Sequence, residues 1–195
     1  MRKEQTQGPA NQAVLLADVK NYGYVKNNDR DSELASLIPA KIAMVENFTG
    51  RALVNQEFDI WYDRDEFFGS VYGYGFAELS SLNVYNIVSA ETFDIDGTST
   101  TIDPTTYRLS VNKIKFDSKL PDRSTRKMDA VKISVQAGYG ADTTEMPEGI
   151  KSALFQMIMS SFRYNGNLSE TELHSIPNTV QAQLAPFRST YKWFR

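Results

Sequence analysis

The chain has 195 residues, 41% of them hydrophobic and 23% charged, which is the balance of an ordinary globular protein with room for one domain or a domain carrying a sizeable insert. Its formal charge is −3, with acids and bases mixed and no long basic block, so a tight electrostatic grip on nucleic acid is excluded. It contains no cysteine and one histidine, His174. That removes disulfides, thiolate metal sites, cysteine nucleophiles, most zinc sites and most Ser-His pairs.

Residues 1 to 12, "MRKEQTQGPANQ", are polar and have no apolar core, so they read as a flexible arm and not as a secretory signal. The longest apolar runs fall well short of the ~18 residues that cross a bilayer. A short helix is expected over Val14 to Tyr22, then a turn at "NNDRD". A second helix is expected from about Ser32 to Phe48. Leu34, Leu37, Ile38, Ile42, Val45 and Phe48 keep helical spacing on one face. Asp31 is the expected N-cap, and Gly50 the left-handed residue that ends the helix. Pro39 sits inside this pattern and predicts a kink or a split, because a mid-helix proline costs ~3 kcal/mol.

The period then changes. In "NQEFDIWYD", Phe58, Ile60 and Tyr62 alternate with Glu57, Asp59 and Trp61, which predicts a strand. The stretch "RDEFFGSVYGYGFAELSSLN" is rich in Gly, Ser and aromatics and predicts a long irregular loop. Strands resume near Ile87 to Ile95. Asp96-Gly97 predicts a hairpin turn, since glycine accepts positive φ without cost, and Asp103-Pro104 predicts another turn. "YRLSV" and "IKF" form a further predicted hairpin around Asn112-Lys113. "AVKISVQA" alternates at Val131, Ile133, Val135 and Ala137.

After Pro147 the helical period returns at Ile150, Ala153, Leu154, Met157, Ile158 and Phe162, with Phe155 and Met159 widening the apolar arc. A last helix starts at Pro177, sends Val180 and Leu184 to the core, and stops at Pro186. The order predicts an α+β fold: a small helical bundle, 14–50 and 147–186, framing an inserted antiparallel β region of hairpins over 54–137. Residues 13–186 are expected to be one domain, and 187–195 a C-terminal docking tail.

The motifs carry little chemistry. "AGYGADTTEM" places glycines between a strand and a helix, but its two acids repel phosphate and the helix starts several residues later, so it reads as a joint. "DIDGTSTTID" lacks the glycine and glutamate spacing of a calcium loop and reads as a hairpin turn. His174 lies in a loop and reads as solvated. No cofactor, metal or catalytic residue is expected. The tail "FRSTYKWFR" is different. Arg188, Tyr191, Lys192, Trp193, Phe194 and Arg195 are the residue types that dominate interface energetics, and they are candidates for partner docking, with folding back on their own domain as the alternative. Phe67, Phe68, Tyr72, Tyr74 and Phe76 form a second candidate, as a partner or neighbour-subunit loop. A rival reading takes the same 67–76 stretch as the stacking surface of a carbohydrate-binding or hydrolase module.

Several blocks also resemble one family. "DSELASLIPAKIAMVENFTGRALVNQEFDIWYD", "IDPTTYRLSVNKIKF", "VKISVQAGYGADTTEMPEGIKSALFQMIMSSFRYNG" and "IPNTVQAQLAPFR" together are similar, in order, to the blocks of the tailed-bacteriophage head–tail connector (adaptor) proteins, over roughly residues 14 to 188. The resemblance implies a non-enzymatic virion protein at the head–tail interface, assembled from the host cytoplasm. It implies a homo-oligomeric ring of about a dozen copies under the portal protein, a downstream neck, stopper or tail protein below, and genome DNA passing through without sequence-specific binding. No membrane enters this picture. The "FFGSVYGYGFAELSS" segment, within 65–81, departs from the common pattern, and so does the sequence after Arg188. At −3 per copy, a dozen copies carry on the order of −36, which suits a channel wall that DNA slides past.

Overall fold

The computed structural model describes residues 1–9, 13–79, 82–117, 124–140, 144–163 and 176–188. In chain order the elements are β1 (Arg2–Gln7), α1 (Leu16–Gly23), α2 (Asp31–Thr49), β2 (Gln56–Tyr62), α3 (Arg64–Tyr74), β3 (Phe76–Glu78), β4 (Val84–Phe93), β5 (Ser99–Thr101), β6 (Tyr107–Leu109), β7 (Lys113–Phe116), β8 (Val131–Ala137), α4 (Glu148–Arg163) and α5 (Asn178–Leu184). The fold is α+β with antiparallel sheets. Over the described residues it divides into two compact units, one from Met1–Gly8 and Asn55–Gly138, the other from Pro9–Val54 and Tyr139 to Arg188.

The helical unit is organised by α4. Ile150, Ala153, Leu154, Met157, Ile158, Met159 and Phe162 are all buried, an arc too wide for one neighbour, and they pack with Leu34, Ile38 and Val45 of α2, Val19 of α1 and Val180 and Leu184 of α5. The start of α2 is fixed by Arg30, which makes two hydrogen bonds of 2.6 and 2.8 Å to Glu33 and lays its guanidinium 4.4 Å from the ring of Phe162. Lys20 of α1 bridges to Asp31 at 2.6 Å. Gly50, at φ 70°, closes α2 and donates its N–H to Glu46 at 2.8 Å. Asp31 is the first helical residue, and Arg30 takes the N-cap position. Lys41 is nearly buried on the inner side of α2, and loss of hydration holds its ammonium below the usual lysine range.

Of the two outcomes expected at Pro39, a kink or a split, the split does not occur: α2 runs unbroken from Asp31 to Thr49. Pro39 and Ala35, the residue four back whose carbonyl cannot receive an N–H from proline, are both on the exposed side of the helix, where that loss costs least.

In the other unit, a five-stranded sheet has the order β1-β2-β8-β4-β5. The two central strands, β2 and β8, alternate buried and half-buried residues without a fault, and Phe58, Ile60 and Tyr62 lie opposite Val135, Ile133 and Val131. On the other face the pairs are polar. Ser134 donates to Asp59 at 2.6 Å, Gln136 to Glu57 at 2.8 Å and Asn86 to Gln136 at 3.0 Å. A smaller sheet, β3-β7-β6, completes the unit.

Two further expectations are corrected here. Residues 1–12 do not begin as a flexible arm, since Arg2–Gln7 is a strand paired antiparallel with β2. A backbone ladder needs no apolar residues, which is why periodicity misses it. Side chains reinforce it: Gln5 donates to Gln56 at 2.6 Å, Lys3 lies 5.3 Å from the ring of Phe58, and the terminal ammonium meets Glu66 at 2.5 Å. Nor is 65–81 an irregular loop. It opens with α3, whose buried Phe67, Phe68 and Val71 anchor it to the unit's core, and Gly75 at φ 77° ends that helix.

The β6–β7 hairpin turns through Val111 and Asn112, at φ 46° and 58°, with Ser110 and Lys113 exchanging hydrogen bonds of 2.8 and 3.1 Å. Asn tolerates this conformation and a β-branched residue does not. Val111 is 89% exposed and buries nothing in exchange. Val111→Asn is therefore expected to stabilise the protein by about 1 kcal/mol, read as a higher urea midpoint with an unchanged slope.

Candidate interaction surfaces

The sequence proposes two surfaces, and the structure treats their residues very differently. Phe67 and Phe68 are fully buried. Their rings meet edge to face at 5.3 Å, and Phe67 also contacts Tyr62 at 5.5 Å and Phe116 at 6.0 Å. These two are core residues and are corrected out of the partner loop, since α3 turns its Phe67–Phe68–Val71 side inward. Tyr72 and Tyr74 are 53% and 76% exposed. Phe76, on β3, is half-buried, and the Lys113 ammonium lies 3.9 Å from its ring centre. The rival carbohydrate surface loses Phe67 and Phe68 by the same burial and keeps Tyr72 and Tyr74.

Of the tail, Arg188 follows a 3₁₀ turn over Ala185–Phe187, is exposed, and sits 5.3 Å from the ring of Phe48. Tyr191, Lys192, Trp193, Phe194 and Arg195 lie outside the described residues, as does His174. Gly138, at φ 149°, ends β8, and ten residues separate that strand from α4, so the glycine turn does not abut a helix N-terminus.

What sequence reasoning missed is on β4. Two β-bulges interrupt its pairing with β8, one between Val84 and Asn86 and one between Ile87 and Ser89. The extra residues are Tyr85 and Val88, which stand 48% and 51% exposed. A bulge breaks the two-residue alternation, so no periodicity could have located them. Partial burial, with the Glu57 carboxylate adding to it, raises the Tyr85 phenol above its ordinary range and keeps it a hydrogen-bond donor. Burial raises Tyr107 in the same way, with a smaller contribution from Asp103. The described residues hold no group of three or more His, Cys, Asp or Glu side chains placed to bind a metal ion.

No protein-family model matches the chain, and no curated protein does. Solved structures match it closely in fold, and those matched come from gene transfer agent particles. The neck of an empty particle computed with C6 symmetry contains a chain with TM-score 0.74 and 19% identity, covering 100% of this chain and 99% of that one. The virion of a native particle gives 0.75 and 18% with the same coverage. The neck of a native particle computed with C12 symmetry gives 0.74 and 18%, again covering 100% and 99%. At this identity the likeness is one of fold.

Proposed function

We propose that the chain is a structural component of the neck of a tailed-phage-like particle, a head–tail adaptor that forms a ring under the portal and extends the channel for DNA. The observation that carries this reading is the end-to-end match in fold to chains from neck and virion structures, with neither partner carrying an unmatched domain. The symmetries printed for two of those structures, C6 and C12, favour a ring of repeated copies. The ordered sequence blocks of the adaptor family agree with it. In this reading the protein works by shape: copies grip one another, the upper face meets the portal, and the lower face meets a neck, stopper or tail protein. The place of action is the virion, after assembly in the host cytoplasm.

The aromatic and basic tail is the part assigned to the portal, through Arg188, Tyr191, Lys192, Trp193, Phe194 and Arg195. Removal of Thr190 to Arg195 is expected to weaken co-sedimentation with portal at least tenfold while the thermal midpoint stays within about 2 °C. Equal co-sedimentation of the truncated and full chains would remove the tail from this account. Failure of both chains to bind would remove the portal.

A further inference from the structure

Among the described residues, the side of β4 that faces away from β8 makes backbone hydrogen bonds at its two ends. Val84 donates its N–H to the Asn112 side chain at 2.7 Å. Ala90 accepts from Ile102 at 2.8 Å, and β5 pairs with Glu91 to Phe93. Between them, Tyr85–Ser89 is hydrogen-bonded to no strand but β8 among the described residues, although β6 of the smaller sheet also approaches β4. Strand edges in soluble proteins are guarded by charge, proline, a covering segment or a bulge. Val84–Ala90, "VYNIVSA", has no charge, no proline and no glycine. The pair of bulges guards it, and those turn Tyr85 and Val88 outward. An uncharged, β-branched stretch left exposed on an edge is an aggregation hazard in a lone molecule. Such a stretch is suited to being covered by an added strand, which takes main-chain hydrogen bonds for affinity and side-chain contacts for specificity.

We infer that the β4 edge at Tyr85–Ser89 seats β1 of a neighbouring copy, so that the five-stranded sheet continues from one copy to the next around the ring. The inference rests on the ring reading above. Strand order is the main argument for this occupant. β1 lies at one margin of the sheet and the β4 stretch lies toward the other, so a β4-to-β1 contact joins two different patches on like molecules. That is the head-to-tail kind of interface that closes into a ring by rotation. The lengths agree, six residues in β1 against five in the exposed stretch of β4. The charges are compatible as well. Arg2, Lys3 and Glu4 meet no like charge on the uncharged β4 stretch.

Because the chain lacks cysteine, introduced thiols report the contact cleanly. Within one copy β1 and β4 are separated by β2 and β8, about 14 Å at the usual strand spacing, which is too far for a disulfide. Val88→Cys protein is mixed with chains carrying a single cysteine at Arg2, Lys3, Glu4, Gln5 or Thr6, under conditions that assemble the ring, and oxidised. The expected result is a disulfide-linked dimer of unlike chains for at least one position, and a ladder of higher species when both cysteines sit on one chain. Rings that assemble with no such linkage at any position would overturn the sheet continuation and leave the ring reading standing. Chains that stay single, with and without portal, would overturn both.

Discussion

Phe67→Ala is expected to lower the stability of the protein by about 3–5 kcal/mol, the range for truncating a fully buried phenylalanine. The ring is not replaceable by relaxation of its surroundings, because it touches three others at once: Tyr62 from β2, Phe68 from its own helix and Phe116 from β7. Those strands belong to two different sheets, so the cavity would lie where α3 joins both. Tyr74→Ala is the contrasting case. Its side chain is on the same short segment, yet it stands in solvent, and its loss is expected to move the midpoint by no more than about 0.5 kcal/mol. Chemical denaturation of the two variants side by side checks the assignment. Near-equal losses would mean that the segment is not organised around Phe67.

Pro39→Ala is expected to act in the opposite direction, with a gain of about 2 kcal/mol. A proline inside a helix lacks the N–H that would bond the carbonyl four residues back, and its ring crowds that carbonyl, together ~3 kcal/mol. Proline returns up to about 1 kcal/mol by restricting the unfolded chain. The balance still favours alanine, because Pro39 is exposed and contributes no buried apolar surface. A denaturation midpoint no higher than that of the parent would show that the helix has adapted to the proline in a way alanine cannot use. The variant also asks why the proline is there. If it assembles less well while being more stable, Pro39 serves a contact in the ring, since stabilising changes at functional positions tend to cost function.

The legible parts of the fold are those where side-chain burial repeats with a fixed period. Phe58, Ile60 and Tyr62 on β2, Val131, Ile133, Val135 and Ala137 on β8, and the apolar arc of α4 all carry such a repeat, and each lies where expected. α5 was legible from two residues, Val180 and Leu184, bracketed by Pro177 and Pro186. β1 was not, because "RKEQTQ" is held by its main chain. α3 was not, because Gly69 and Gly73 inside a helix cost ~1 kcal/mol each and propensity alone votes against it. Tertiary packing of Phe67, Phe68 and Val71 overrides that vote. The same packing explains why a segment read as a sticky aromatic loop leaves chiefly Tyr72 and Tyr74 exposed. The bulged residues Tyr85 and Val88 depend on a register between strands 50 residues apart in sequence, which no local pattern encodes.

The most direct measurement is the mass and symmetry of what the purified 22.0 kDa chain forms with portal, by mass photometry and electron microscopy of the same sample. The account predicts a closed ring of about a dozen copies stacked coaxially on the portal. A chain that remains single in the presence of portal, at concentrations well above those of assembly, would contradict it.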